Sequence, residues 1–564
     1  MTALTRTSGF TSVPRGLTIL VTAAAVLAPL LLILYQSFLS APFFDAKKTI
    51  GIGAYQFIFA DPDFWQASLN SVVIATCMVI IALPLGALLA FVMERTDLPA
   101  KRWIEPLILV PSFVSPMVLA FGFVVAAGPV GFYTVWATEL FGGAPWGIYS
   151  LTSIGVIAGL LHVPNVYVYA SAALKSLGSD VEEAARVAGA SPFRVAATVS
   201  LPLIMPALLF AAVLVFFLGF ELFGLPLVLG DPEGHLVLST YLYKLTNKLG
   251  VPSYHLMAAV AICIVAVTFP LVLLQRFLLQ NARKYATIKG KAGRMRELPL
   301  GQWKWVAAAL IATWLFVGVI VPLTGIALRA FVTNWGYGAK LAEVLTLEHF
   351  QSVFDEPILV RAIWNTVLIG TVGGAIAVAC YCAIGFATHR RNDGWSRFVD
   401  YLVLVPRAIP GLLAGLAFLW VFLFFPPLQP LRTTIFSMWL AYTVVWLAYG
   451  MRLISSSLMQ VSTELEEAAR TVGANRGQVS RQITLPLIRH GLIASWLLVF
   501  MIFEREYSTG VYLLAPGTEV IGAQLVSLWQ GGAIDVVAAL SFVNVVLVGI
   551  GLAIALRFGV KLRD

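Results

Sequence analysis

Charged residues are scarce in this chain of 564 residues, and that scarcity excludes a soluble protein. Asp, Glu, Lys and Arg together make up 12% of the sequence, whereas 59% of the residues are hydrophobic. A soluble surface needs roughly 25% charged residues. The phosphate-binding loop Gly-x-x-x-x-Gly-Lys-Ser/Thr is also absent from the sequence, so we expect no ATP hydrolysis by this chain itself and no enzyme activity.

Cysteine is rare as well, which argues against a metal centre or a disulfide framework. Cys77, Cys263, Cys380 and Cys382 all lie in apolar stretches, without Cys-x-x-Cys spacing and without nearby histidines. Such residues are typically small core hydrophobes. We therefore predict no bound metal and no cofactor.

Long apolar stretches are what the sequence has instead. A helix needs about 20 apolar residues to cross a hydrocarbon core ~30 Å thick, and the chain has twelve such stretches. They predict an all-α integral membrane protein with about twelve transmembrane helices, near residues 17–39, 68–93, 103–127, 147–175, 201–228, 253–280, 303–329, 361–388, 398–424, 433–457, 485–513 and 534–558.

The distribution of basic residues predicts the orientation of these helices. With the N-terminus inside, 27 of the 37 Lys and Arg residues fall in cytoplasmic segments, as the positive-inside rule requires. Both termini are therefore predicted to be cytoplasmic. The net charge of +9 is explained by contact with anionic membrane lipid, and nothing in the sequence supports binding to nucleic acid.

An internal repeat divides the chain into two homologous halves of six helices each. Residues 183–204 and 467–488 are identical at 11 of 22 positions, and such repeats define an architecture. The predicted organisation is a first transmembrane half at 1–280, a basic cytoplasmic linker at 281–304 and a second transmembrane half at 305–564.

Shorter matches upstream support the same division. Asn70 corresponds to Asn365, each at the start of an apolar stretch. LVPSFVSP at 109–116 corresponds to LVPRAIPG at 404–411. The prolines and glycines of these two segments predict a kink in the third span of each half, which a membrane protein tolerates where neighbouring groups satisfy the freed backbone.

The repeated phrase EEAARVAGA, or EEAARTVGA in the second half, has the pattern of a short polar helix. Ser179 before Glu182, and Thr463 before Glu466, predict a Ser/Thr-x-x-Glu capping box at its start. A glycine in each copy predicts a left-handed cap at its end. A single copy would suit an amphipathic connector lying on the membrane. Duplication favours docking on a partner that is itself two-fold symmetric.

At these residues the chain resembles the membrane permease subunits of bacterial ABC importers. Their motif is Glu-Ala-Ala, three residues, Gly, then about a dozen residues to Leu-Pro. It is matched by Glu183, Ala184, Ala185, Gly189, Leu201 and Pro202, and again by Glu467, Ala468, Ala469, Gly473, Leu485 and Pro486. One departure is that the first copy continues to Pro206, where the second has His490.

The resemblance implies partners as well as a fold. The coupling loops at 178–200 and 462–484 would bind a separate ABC ATP-binding subunit, expected as a homodimer. A separate periplasmic binding protein would deliver the substrate, and the chain would lie in the bacterial inner membrane. Two fused halves are typical of ferric-iron and thiamine permeases, to which polyamine and phosphonate permeases are related.

The identity of the substrate is less strongly indicated. The stretch EREYSTGVYLLAPGTEVIG at 504–522 resembles a region of ferric-iron permeases, which favours iron over thiamine, polyamine or phosphonate. Charged residues at membrane depth usually face a cavity or a partner, so they are candidates for a translocation path or, equally, for structural ion pairs. They are Glu221, Arg407, Glu504, Arg505 and Glu506.

A secondary transporter is the rival interpretation from another class. Twelve spans in two halves are common there too. Such a transporter needs no docking helix before the fifth span of each half, so copurification of an ATP-binding subunit distinguishes the two.

Overall fold

A computed structural model describes residues 15–43, 45–177, 180–247, 253–285 and 297–557. The described chain is helical almost throughout. Its extended pairing is limited, in these residues, to the isolated bridges Leu39 to Ile50, Thr96 to Leu298 and Val332 to Leu345. This agrees with the predicted all-α class, since lipid favours structures whose backbone hydrogen bonds lie within each segment.

The α-helices of the first half follow the apolar stretches, with short helices between them. Their bounds are Arg15–Ser37, Gly53–Ala60, Pro62–Arg95, Lys101–Phe113, Pro116–Ala127, Phe132–Phe141, Leu151–Ser176, Asp180–Val187, Pro192–Val195, Leu201–Glu221, Leu238–Asn247 and Tyr254–Tyr285. Wider π-helical turns occupy Ala196–Ser200 and Pro226–Gly230.

The second half contains more interrupted helices. Its α-helices are Trp303–Leu315, Val321–Ala330, Glu348–Asp355, Pro357–Leu368, Gly374–Thr388, Gly394–Leu402, Gly411–Phe424, Ile435–Val445, Leu447–Met459, Thr463–Thr471, Arg476–Val479, Leu485–Leu487, Arg489–Arg505, Ile521–Gln530 and Ile534–Arg557. Its π-helical turns are Phe316–Ile320, Ile369–Gly373 and Ser480–Thr484.

Most predicted spans correspond to observed helices. Nine helices in the described residues are long and apolar enough to cross a membrane, and two bent pairs raise the number to eleven. The stretch predicted as one span at 433–457 is instead two helices interrupted at Trp446. The stretch predicted as one span at 103–127 is instead divided between the helices Lys101–Phe113 and Pro116–Ala127. The segment here that is long and apolar enough to cross a membrane is Pro116–Phe141.

The predicted kinks in the third span of each half are confirmed. In the first half, the helix ends at Phe113 and a new one begins at Pro116. In the second half, the chain bends by 108° between Gly394–Ala408 and Gly411–Phe424. Proline lacks the backbone donor that would continue either helix, which explains both breaks.

The two copies of the fifth span differ in an unexpected way. The copy containing Pro206 is one helical run over Ala196–Glu221, whereas the copy containing His490 bends by 69° between Arg476–Leu487 and Arg489–Arg505. The bend lies beside Gly491, where an added Cβ would overlap the Ser457 side chain. Pro486 precedes the break, but the unbent first copy has Pro202 at the equivalent position, so the proline does not distinguish the two copies.

The described residues fall into two compact units that do not follow the two sequence halves. One unit takes residues from Met1–Tyr35, Arg361–Val520 and Gly549–Val560. The other takes residues from Gln36–Val360 and Ile521–Val548. The first helix of each sequence half thus belongs to a unit made mainly from the other half.

Contacts inside each unit account for this exchange. In the first unit, Arg15 donates to the carbonyl oxygen of Ala387 at 3.0 Å and forms an ion pair with Asp393 at 2.6 Å. In the second unit, Gly122 lets the helix Val321–Ala330 approach so closely that a Cβ would lie 2.5 Å from the Pro322 carbonyl oxygen. The opening span of each half is therefore bound by specific contacts.

Candidate functional site

The duplicated phrase forms two short helices that we call the first and second duplicated helices. They are Asp180–Val187 and Thr463–Thr471. Helix-forming alanines and glutamates account for both. The predicted coupling residues Glu183, Ala184, Ala185, Glu467, Ala468 and Ala469 all lie on these helices.

Both helices end in the predicted glycine cap. Gly189 has φ +86° and Gly473 has φ +88°, a left-handed conformation that glycine adopts without strain from a Cβ. The amide of Gly189 donates to the Arg186 carbonyl at 2.9 Å, and that of Gly473 to Arg470 at 3.0 Å. Each following alanine amide reaches back five residues at 3.0 Å, which is the Schellman pattern.

The predicted capping box is wrong in the second copy. That helix begins at Thr463, and its cap residue Ser462 makes no side-chain capping bond. Glu466 does not reach back to the helix start, because its side chain is buried and paired with His389 and Arg390. In the first copy Ser179 lies outside the described residues. Glu466 therefore forms an ion pair with another part of the chain and does not cap its own helix.

A buried ion pair anchors the first duplicated helix. Arg95, at the end of the helix Pro62–Arg95, lies 3.1 Å from the Glu182 carboxylate, with the two side chains 3% and 8% exposed. The same carboxylate oxygen accepts a hydrogen bond of 2.7 Å from Ser200. Arg95 also donates to the backbone carbonyls of Leu174 and Leu177 at 2.8 and 3.2 Å. These hydrogen bonds satisfy charges that would otherwise be costly to bury.

The second copy has the same arrangement with an additional histidine. Arg390 lies 3.4 Å from Glu466, whose side chain is 2% exposed, and donates to the Val461 carbonyl at 2.7 Å. Thr484 donates to Glu466 at 3.2 Å. His389 is 3.0 Å from the same carboxylate.

These two networks consist of equivalent residues. Arg95 and Arg390 are 295 positions apart, the spacing that also relates Asn70 to Asn365. Ser200 and Thr484 are separated by 284 positions, like Glu182 and Glu466. In each copy, one arginine and one glutamate tie the duplicated helix to the end of the second span, the end of the fourth and the start of the fifth. The sequence argument missed these arginines, although the repeat spacing identifies them.

The opposite end of the second span carries a matching contact. Asn70 donates to the Leu236 carbonyl at 2.8 Å, and Asn365 donates to the carbonyls of Gly517 and Glu519 at 3.2 and 2.9 Å. Each second span is therefore held at one end by an asparagine and at the other by an arginine.

The outer faces of the duplicated helices are open. Val187 is 90% exposed and Val472 is 85% exposed. Glu183 and Glu467 are also exposed, next to the exposed alanines of each copy. Each duplicated helix thus presents a small apolar tip flanked by one acidic side chain, while its inner face is held by an ion pair between an arginine and a buried glutamate.

Among the predicted path residues, Glu506 is fully engaged in hydrogen bonds. Its Oε1 accepts from the backbone amides and hydroxyls of Ser508 and Thr509 at 2.9 to 3.1 Å. Its Oε2 accepts from the indole of Trp446 at 2.9 Å. The carboxylate thus organises the turn that follows the helix Arg489–Arg505, which favours the structural interpretation for this residue.

Three other charged residues lie in the same unit. Glu504 is 1% exposed. Arg505 stacks over the Trp446 ring at 5.9 Å and lies within electrostatic reach of Glu506 and Arg407. Glu221 ends its helix in the other unit. Over the described residues, no three His, Cys, Asp or Glu side chains are grouped closely enough to hold a metal ion.

Comparison with known proteins agrees with the motif. The family model described as "Binding-protein-dependent transport system inner membrane component" matches residues 82–284 and 375–561. The putative ferric transport system permease protein FbpB 1 of Haemophilus influenzae is 24% identical over 73% of this chain and 64% of its own length. The ferric transport system permease protein FbpB of Actinobacillus pleuropneumoniae is 22% identical over 78% and 63%.

A relative named for a different substrate matches a smaller part of the chain. The putative 2-aminoethylphosphonate transport system permease protein PhnV of Salmonella typhi is 29% identical over 43% of this chain and 90% of its own length. The chain spans less than two thirds of the length of the two ferric relatives. Because the family model covers more than half of the sequence in two segments, the chain belongs to the family of binding-protein-dependent transport system inner membrane components.

Proposed function

We propose that this chain is the permease subunit of an ATP-driven ABC importer in the bacterial inner membrane, with both termini cytoplasmic. A separate ATP-binding subunit, acting as a homodimer, binds to the duplicated helices and hydrolyses ATP. A periplasmic binding protein delivers the substrate. The observation that carries the proposal is the pair of equivalent helices, each with an exposed apolar tip and a buried arginine–glutamate anchor.

The anchors supply a route for mechanical coupling. ATP-driven closure of the partner homodimer displaces the two duplicated helices. Because Glu182 is bound to Arg95, and Glu466 to Arg390, that displacement passes to the second, fourth and fifth spans rather than being absorbed by a flexible loop. Packed elements with two discrete arrangements convert such a shift into opening of the transport path.

Introducing bulk and charge at the two helix caps tests the coupling role. The double variant Gly189→Glu, Gly473→Glu leaves the internal packing unchanged, because a Cβ at either position meets no atom within 4 Å. Each substitution costs about 1 kcal/mol of backbone strain. We expect loss of association with the ATP-binding subunit and loss of transport in reconstituted vesicles.

A matched control separates docking from backbone strain. Gly142 and Gly338 have φ +79° and +78° with the same open surroundings, but lie outside the coupling loops. The double variant Gly142→Glu, Gly338→Glu should keep association and transport. Normal coupling in the cap variant would reject the proposed role, and transport that persists without any ATP-binding subunit would favour a secondary transporter.

Ferric iron is the substrate we propose. Several relatives are ferric transport permeases, which supports this proposal, and so does the resemblance at 504–522. Putrescine and phosphonate permeases also match, over smaller parts of the chain. Uptake of ferric iron, putrescine and 2-aminoethylphosphonate should be compared in cells expressing the complete transporter. ATP-dependent uptake of either organic substrate, with no uptake of ferric iron, would reject ferric iron as the substrate.

A translocation role for the carboxylate of Glu221 is part of the iron proposal. Glu221→Gln should lower iron uptake while leaving the yield of assembled transporter unchanged, because the substitution removes charge with little change of volume. Unchanged iron uptake would remove Glu221 from the path.

A further inference from the structure

A basic cavity lies behind the second duplicated helix. It has a volume of about 50 Å³, room for roughly four water-sized groups. Its lining residues come from the end of the second span of that half, the duplicated helix and the start of the fifth span, and include His389, Arg390, Arg391, Glu466, Arg470, Arg476 and Ser480.

Positive charge in this cavity exceeds what its one carboxylate can balance. Glu466 is engaged by Arg390 at 3.4 Å and by Arg470 at 3.9 Å. Arg391 makes no hydrogen bond or ion pair through its side chain within the described part of the chain. Its pKa is lowered by partial burial and by the nearby positive charges of Arg15 and Arg476, which outweigh the opposing effect of Asp393. Asp393 is itself paired with Arg15 at 2.6 Å. Cationic groups that outnumber the carboxylates beside them attract an anion.

The first copy lacks this arrangement. By the repeat spacings, the positions of Arg391 and Arg476 are occupied there by Thr96 and Pro192. The backbone beside Thr96 is paired with Leu298, whose amide donates to the Arg95 carbonyl at 2.7 Å. In the first copy, the connector between the two halves thus contacts the position that corresponds to the arginines of the second copy. We therefore treat the cavity as a specific feature of the second copy.

We propose that this cavity binds a phosphate-type oxyanion. Arginine presents planar, bidentate donors that fit phosphate oxygens, and the Ser480 hydroxyl adds a neutral donor at the cavity wall. Free phosphate and the headgroup of an anionic phospholipid share this chemistry, and basic pockets between membrane helices are suited to lipid headgroups. The site goes beyond the coupling role and does not depend on it.

Thermal unfolding of the full chain bound to its ATP-binding subunit tests the site. In the first arm, sodium phosphate is compared with sodium chloride at equal ionic strength. In the second, nanodiscs of phosphatidylglycerol are compared with phosphatidylcholine. We expect a higher unfolding midpoint in at least one arm, and Arg391→Gln should weaken the apparent affinity for that anion by about tenfold or more.

The control variant is Arg397→Gln, which removes an exposed arginine of the neighbouring helix outside the cavity and should keep the wild-type shift. A shift with phosphate that Arg391→Gln abolishes identifies free phosphate, and one confined to phosphatidylglycerol identifies a headgroup. Equal shifts in wild type and Arg391→Gln, or none in either arm, overturn the proposal. The proposal is also overturned if Arg391→Gln weakens binding of the ATP-binding subunit and no anion raises the unfolding midpoint, because the cavity would then accept an acidic side chain of that partner.

Discussion

Replacing Arg95 by methionine should destabilise the protein far more than the same replacement at Arg390, although the two residues are equivalent in the repeat. Methionine keeps much of the side-chain volume and removes the charge. In both variants a buried glutamate loses its arginine. The two cases differ in what remains around that glutamate.

The magnitude follows from the partners that are left. Without Arg95, the described residues leave Glu182 only the hydrogen bond from Ser200, and an uncompensated buried charge costs about 3–5 kcal/mol. Without Arg390, Glu466 keeps His389 at 3.0 Å and the partly exposed Arg470 at 3.9 Å. The expected cost there is about 1–2 kcal/mol.

The free energy of unfolding, measured by SDS titration in mixed micelles, checks this difference. The double variant Arg95→Met, Glu182→Met should be more stable than Arg95→Met alone, because no charge is left buried, although the Leu174 and Leu177 carbonyls still lose their donor. Equal destabilisation at Arg95 and Arg390, or a double variant less stable than Arg95→Met, would refute the reasoning.

Three further changes test the packing and charge of the second half. Glu506→Ala should lower the free energy of unfolding by about 3 kcal/mol or more, because five hydrogen bonds lose their acceptor, and Glu506→Gln should cost clearly less in the same titration. Gly415→Ala should lower the free energy of unfolding by about 1–3 kcal/mol, because its Cβ would overlap a backbone carbonyl oxygen. The control Gly549→Ala, whose Cβ meets no atom within 4 Å, should not change it measurably. The hydrogen bond from Arg15 holds the pKa of Asp393 below its ordinary value of 3.8. Asp393 therefore stabilises the fold at neutral pH, and this stabilisation is lost as the pH falls below 3.8. Asp393→Asn should remove this acid dependence of the unfolding midpoint.

Much of the fold could be predicted because lipid imposes a simple rule on the sequence. Apolar length alone located most of the spans, and proline chemistry located the kinks beside Pro116 and Gly411. The bend beside Gly491 was not predicted. It lies next to a close contact with Ser457. That contact joins two helices and leaves no periodic signal in either.

The two duplicated helices were predictable from the sequence, and the ion pairs that anchor them were not. Glycine conformation is a local property, so Gly189 and Gly473 were assigned correctly. The role of Glu466 was not, because a Ser/Thr-x-x-Glu pattern cannot show whether its glutamate faces the helix start or a distant arginine. Burial beside Arg390 determines the answer, and that contact spans 76 positions of the sequence.

Cross-linking from the two helix tips tests the central claim most directly. Val187→Cys and Val472→Cys place thiols at the exposed tips, and Phe141→Cys, at a residue 82% exposed outside both loops, is the control. With purified transporter and a short bifunctional reagent, both tip variants should cross-link to the ATP-binding subunit, at yields that change with ATP, while Phe141→Cys should not. Absence of cross-links from both tips, or equal cross-linking from Phe141→Cys, would contradict docking through the duplicated helices.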